Sequence, residues 1–213
     1  MQRVQRAEIV LTRLAQKYPR PSSALQWQSP WELLVATILS AQCTDQRVNM
    51  VTPAFFQRWP DPETLAQADL EAIENTIRST GFFHNKAKNL LATAHRIVKE
   101  HQGQVPSTMG ELVALPGVAR KTANIVLANA FGVNEGIAVD THVKRLAHRL
   151  GLTDAKAPNH IEQDLIPLFP QSQWGKLNHY FVLFGRETCK ARSPQCQHCL
   201  LGDICPRYGL PER

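Results

Sequence analysis

Along this chain the apolar positions recur every three to four residues, and the strict alternation that marks a half-buried strand is nearly absent. In "SPWELLVATILSAQ", Leu33, Ala36, Thr37 and Ser40 repeat at helical spacing beside an apolar run, which predicts a deeply buried helix. Its start is also marked. Ser29 suits the cap, Pro30 the first helical position, and Glu32 completes a capping box. Asp61 and Pro62 open "DPETLAQ" in the same way, and Gly81 is a C-terminal stop for "ADLEAIENTIRSTG". "FFHNKAKNLLATAHRIVKEHQG" reads as a long basic helix ending near Gly103, and Thr108 with Glu111 forms another capping box in "STMGELVALPG". "DTHVKRLAHRLG", "APNHIEQDLIPLF" and "SQWGKLNHYFVLFG" continue the series. About ten helices joined by short loops predict an all-α fold.

A length of 213 residues allows one large domain or two small ones. At 43% hydrophobic and 20% charged residues the composition is that of a folded globular chain rather than a disordered one. There is no apolar run long enough for a membrane helix. The stretch "MQRVQRAEIVLTRLAQKYPR" is basic and lacks the apolar core of a signal peptide, so it is expected to be an amphipathic helix of a cytoplasmic protein. The formal net charge of +6 favours polyanionic partners such as nucleic acid, though a merely basic enzyme would show the same balance.

Composition changes only at the end, in "CKARSPQCQHCLLGDICPRYGLPER". Here Cys189, Cys196, Cys199 and Cys205 follow the pattern C-x6-C-x2-C-x5-C. A reducing compartment disfavours disulfides, so four thiolates this close suit a tetrahedral zinc or a [4Fe–4S] cluster. Zinc sites more often pair two short Cys knuckles, and only one is present, so the spacing favours the cluster without excluding zinc. Cys43, far upstream in "LSAQCTD", reads as a small buried apolar residue. Lys190 and Arg192 lie between the first two cysteines. A loop tied down by a metal group would fix their direction and could grip phosphate; alternatively they are two solvated charges.

"MGELVALPGVARKTANIVLANAF" reads as two helices joined by a tight turn, with Ala123, Val126, Leu127 and Ala130 on one apolar face of the second. The first-turn amides of that helix lack helical partners, and Gly117 lets the backbone approach closely, an arrangement suited to holding a phosphate. Lys121 stands in the same first turn. The helix dipole disfavours a cation there, which pushes toward the neutral amine that a nucleophile requires. A phosphate-contacting lysine is the other reading. In "GIAVDTHVKRLAHRLG", Asp140 is an ordinary N-cap that could also act as a rigidly held carboxylate, and His142 could touch DNA or pack.

Taken together, "LPGVARKTAN", "VDTHVKR" and "CKARSPQCQHCLLGDIC", supported by "LSAQCTD" and "GFFHNKAKNL", resemble the endonuclease III family of bifunctional DNA glycosylases in the helix–hairpin–helix superfamily. The resemblance extends over essentially the whole chain. It implies two helical domains flanking a DNA-binding cleft: a six-helix barrel at 23–134 holding the helix–hairpin–helix at about 108–131, and a discontinuous cluster domain made of 1–22 and 135–213 with its cluster loop at 189–205. It implies that Lys121 and Asp140 are catalytic and that the four tail cysteines hold a [4Fe–4S] cluster. Gln42 matches the residue that fills the gap left by a flipped base. Phe82 lies in the loop that wedges into the duplex, with a core aromatic as its other reading. Leu115, Gly117, Ala119, Arg120, His142, Lys190 and Arg192 complete the expected DNA contacts. The implied activity removes damaged pyrimidines and nicks the strand by β-elimination, in a monomer acting on double-stranded DNA carrying damaged pyrimidines or abasic sites, in the cytoplasm or on the nucleoid. Two alternatives stay open: a monofunctional adenine glycosylase of the same superfamily, whose hairpin lysine is typically a serine, and a non-enzymatic iron–sulfur DNA-binding protein. The pattern departs from the family at Ala119, where a second glycine is common. If that position requires a positive φ, alanine is strained there.

Overall fold

A computed structural model describes residues 1–210 and, among them, forms helices and no strand. The helices are α1 (Arg3–Lys17), α2 (Pro30–Leu39), α3 (Asp45–Arg58), α4 (Pro62–Ala66), α5 (Leu70–Ile77), α6 (Phe83–His101), α7 (Met109–Ala114), α8 (Arg120–Val126), α9 (Thr141–Arg149), α10 (Pro158–Leu165) and α11 (Trp174–Glu187). Short 3-10 turns punctuate them, and α8 runs on into a π-helical turn at Leu127–Phe131.

Side-chain caps start α2, α3, α4, α5, α7 and α9, but not always as reciprocal boxes. Ser29 Oγ accepts from Glu32 N at 3.2 Å, while the Glu32 carboxylate accepts from Gln28 N at 2.7 Å rather than from the cap itself. Thr108 Oγ1 accepts from Glu111 N at 3.4 Å and donates to the Glu111 carboxylate at 2.6 Å, so the acid is spent on the hydroxyl. Both expected boxes are therefore half-formed. Asp61 does form a reciprocal pair, with Thr64.

Two separate apolar cores exist, and the chain divides into two units: Ser23–Val133, and Met1–Ser22 with Asn134–Arg213. In the first, α2 is the central element: seven of its side chains, Leu33 to Leu39, are buried without a break, and α3, α6 and α8 pack around it. In the second, Ala7, Val10 and Leu14 present one face of α1 to Val143, Leu146, Leu177, Phe181 and Phe184. Polar contacts complete the attachment of α1. Arg6 donates to the carbonyls of Ile204 and Gly151, each at 3.1 Å, and Arg13 donates to the Leu200 carbonyl at 2.6 Å and to Asp203. Asn134 belongs with the second unit, because its side chain accepts from Gly175 N at 3.1 Å and its carbonyl from Gln171 at 2.9 Å. No helix of the described residues is long and apolar enough to cross a membrane.

Candidate nucleic-acid interface and cluster site

The turn between α7 and α8 is built from Leu115 to Ala119. Leu115 is buried and accepts from Val118 N at 3.1 Å, while Gly117 takes φ +76°. Any Cβ at Gly117 would lie 2.8 Å from the Asn89 amide nitrogen and 2.9 Å from its Cβ, so glycine is required twice over, by dihedral and by space. Ala119 corrects the expectation of strain. It is the N-cap of α8 with φ −84° and ψ 165°, ordinary extended backbone that alanine adopts freely. It supplies no side-chain cap, so the first-turn amides of α8 have no side-chain acceptor from it. Arg120 and Lys121 follow at once and are both exposed. Behind them Ala123, Val126 and Leu127 are fully buried, which anchors the turn, whereas Ala130 is only half-buried in the π-helical segment.

The sequence reading missed what holds this turn. Helix α6 was read as a basic helix, yet three of its polar side chains grip the α7–α8 connection. Thr93 Oγ1 donates to the Pro116 carbonyl at 2.8 Å, Arg96 donates to the Ala114 carbonyl, and Asn89 packs on Gly117. Positions 89, 93 and 96 lie on one helical face, so a polar row beside the apolar stripe of Ala87, Leu90, Ala94 and Ile97 is the signal the sequence carries.

Two further candidates in this unit share an unusual backbone. Gln42 and Phe82 are non-glycine residues in the left-handed region, at φ +52° and +50°. Each such conformation costs of order 1–3 kcal/mol and persists only where its surroundings impose it. Both side chains are exposed, Phe82 at 62%. Its neighbour Phe83 is the one that packs against the core, so Phe82 is not a core aromatic. Beneath both loops lies Lys86, buried, its ammonium donating to the carbonyls of Leu39 at 2.8 Å and Thr80 at 2.9 Å. Burial holds this ammonium below the usual lysine pKa, and the nearby Cys43 acts in the opposite direction.

In the other unit, Asp140 caps α9. Its Oδ1 accepts from His142 N and Val143 N, each at 2.8 Å, which fixes the carboxylate while the residue stays half-exposed. His142 is half-buried, with Nδ1 3.0 Å from Arg145 Nη2 and close enough to Gly185 that a Cβ there would come within 2.6 Å of it. The ring thus packs between α9 and α11.

The tail cysteines converge on one recess. Cys189, Cys196, Cys199 and Cys205 all line one recess, together with Leu146, Phe184 and Leu201. Four thiols facing one recess suit a [4Fe–4S] cluster, each iron taking one cysteine. Burial and the neighbouring cysteines push the Cys199 and Cys205 thiols up, a penalty that a positively charged iron core relieves. The loop is held from α9 by Arg149, which donates to Cys189 Sγ at 3.4 Å and to the carbonyls of Lys190 at 2.7 Å and Ala191 at 2.8 Å. The side chains of Lys190 and Arg192 stand exposed on that fixed backbone. Replacing Cys199 by serine is expected to lower the iron content of purified protein from about four per chain to below about one, with loss of its brown colour. Unchanged iron in that variant would exclude Cys199 as a ligand.

Residues 35–171 match the HhH-GPD superfamily of base excision DNA repair proteins, and residues 189–205 match the iron–sulfur binding domain of endonuclease III. The chain is 55% identical to endonuclease III of Synechocystis over 95% of its own length and 92% of the relative's. It is 38% identical to endonuclease III of Escherichia coli, with 96% of each chain covered. Among solved structures, a trapped endonuclease III–DNA covalent intermediate matches with a TM-score of 0.92 at 40% identity over 97% of both chains.

Proposed function

The chain belongs to the endonuclease III family and is a base-excision-repair DNA glycosylase with abasic-site lyase activity; we propose that Lys121 is its nucleophile, Asp140 its catalytic carboxylate, and oxidised or otherwise damaged pyrimidines in duplex DNA its substrates. The observation that carries the assignment of Lys121 is its placement. The amine is exposed in the first turn of a helix whose start has no side-chain cap, on a turn held rigidly by α6.

The proposed sequence begins with phosphate contacts from the α7–α8 turn, Arg120, Lys190 and Arg192. These position a strand without reading it. The damaged nucleotide leaves the stack, because C1′ is out of reach inside it, with Phe82 wedging and Gln42 occupying the gap. The neutral Lys121 amine attacks C1′ and the C1′–N bond breaks, the base leaving with the electron pair and a proton. Asp140 stabilises positive charge developing on the sugar and assists proton transfer. The nitrogen lone pair then breaks the C1′–O4′ bond, O4′ takes up a proton, and the opened sugar is held as the protonated Schiff base. Removal of a C2′ proton then expels the 3′ phosphate by β-elimination, and hydrolysis frees Lys121. Residues Cys189, Cys196, Cys199 and Cys205 would hold the [4Fe–4S] cluster, whose contribution is to crosslink the loop that carries Lys190 and Arg192. We take the working form to be a monomer acting on cytoplasmic or nucleoid DNA.

Duplexes each carrying a single lesion test the substrate class. Oxidised thymine and oxidised cytosine are expected to be excised and nicked, while an adenine mispair is left intact; excision of adenine without nicking would favour the monofunctional alternative. Truncating the wedge by Phe82→Ala is expected to slow single-turnover excision from a duplex about 10-fold or more, since its side chain is solvent-exposed and its loss leaves the core untouched. Excision at the unaltered rate would remove Phe82 from the assigned contacts.

A further inference from the structure

Lys86 sits in the first turn of α6, where the helix dipole disfavours a cation. Cys43 is an ionisable neighbour. An apolar side chain would fill this part of the core without the cost of burying an ammonium. What the ammonium contributes is a connection. One of its acceptors, the Leu39 carbonyl, is the last of α2, and Gln42 follows three residues later. The other, the Thr80 carbonyl, lies two residues before Phe82. The backbone amide of Lys86 also donates to the Phe82 carbonyl at 3.1 Å. Gln42 and Phe82 are the two exposed left-handed residues of these loops, so one buried cation ties together the bases of both.

We propose that Lys86 is a positioning residue for base extrusion: by holding the Leu39 and Thr80 carbonyls on one ammonium it keeps the Gln42 and Phe82 loops in fixed register, so that both side chains enter the duplex as a unit. The proposal rests on the assignment of Gln42 and Phe82 as duplex-entering residues. It extends that assignment from the two side chains to the element that sets their spacing. Lys86 touches no DNA in this scheme and acts through the two loops.

The test is a mutant cycle read on two substrates. Single-turnover excision is measured on a duplex with one oxidised pyrimidine, and borohydride trapping on a single-stranded abasic oligonucleotide, which requires no extrusion. Lys86→Met is expected to slow duplex excision about 10- to 100-fold, the scale of a misplaced positioning group, and to leave single-strand trapping within about twofold. In a Gln42→Ala/Phe82→Ala background the same change is expected to cost less than about threefold, because coupled residues are non-additive. Equal loss on both substrates, a full-sized loss in the double-alanine background, or no loss at all would overturn the proposal. Should Lys86→Met fold poorly by circular dichroism, Lys86→Gln, which keeps a shorter donor, goes through the same cycle with a smaller expected loss and the same criteria. If Gln42→Ala/Phe82→Ala alone leaves duplex excision at the wild-type rate, the parent assignment fails, and that result is obtained without touching Lys86.

Discussion

Lys121→Gln is expected to abolish base excision and strand nicking together, by at least about 10⁴-fold in single-turnover rate, the loss seen when a covalent nucleophile is removed. The two activities are expected to fall together because, in the proposed sequence, one amine carries both: it displaces the base and then holds the sugar as the Schiff base that eliminates. The fold is unaffected. Lys121 is exposed, and surface substitutions of this kind change stability by within about 0.5 kcal/mol. Duplex binding, measured at fixed salt, is retained to within the contribution of a single cation, because Arg120, Lys190 and Arg192 remain. A variant that still excises bases but no longer nicks would show that the nucleophile of the first step is water or another residue.

Asp140 separates two roles that the sequence superimposes. Its carboxylate accepts from two backbone amides of α9, at 2.8 Å each. Asparagine caps a helix about as well as aspartate, whereas alanine in its place costs about 1 kcal/mol. Asp140→Asn is therefore expected to melt close to the wild type, and Asp140→Ala to melt about 2–4 °C lower, as suits a chain of this size. In both, loss of the proposed catalytic charge is expected to slow excision about 10²- to 10³-fold. The comparison is thus a stability difference between two variants of equal catalytic defect. If Asp140→Asn excises normally, the residue is a cap and nothing more.

The helices and their breaks were legible because the local chemistry is strong. Ser29 with Pro30, Asp61 with Pro62, and the stops at Gly81 and Gly103 all act within a few residues of themselves. Capping detail was less legible: Glu32 and Glu111 find nearer donors than the ones the pattern assigns them. The metal-binding tail was plain from spacing, since four cysteines so close have few other uses. Whether Ala119 requires a positive φ is not legible in the sequence, because its backbone need is decided by how the turn is held and not by its own identity. Asn89, Thr93 and Arg96 set that turn from 21 to 28 positions upstream of Gly117, and their polar row does not say what it grips. The same limit hid Lys86. Its acceptors are backbone carbonyls, 47 and 6 residues away, which leave no trace in side-chain patterning. Phe82 and Phe83 are adjacent and alike in sequence; only the left-handed turn at Phe82 decides which one faces solvent.

The most direct test of the central claim is to map the bond. Wild-type protein is reduced with borohydride on a duplex containing one damaged pyrimidine, digested, and the peptide carrying the sugar remnant is sequenced by mass spectrometry. The remnant is expected on Lys121, with no adduct formed by Lys121→Gln. A remnant on any other amine, or full trapping by the Lys121→Gln variant, would contradict the account.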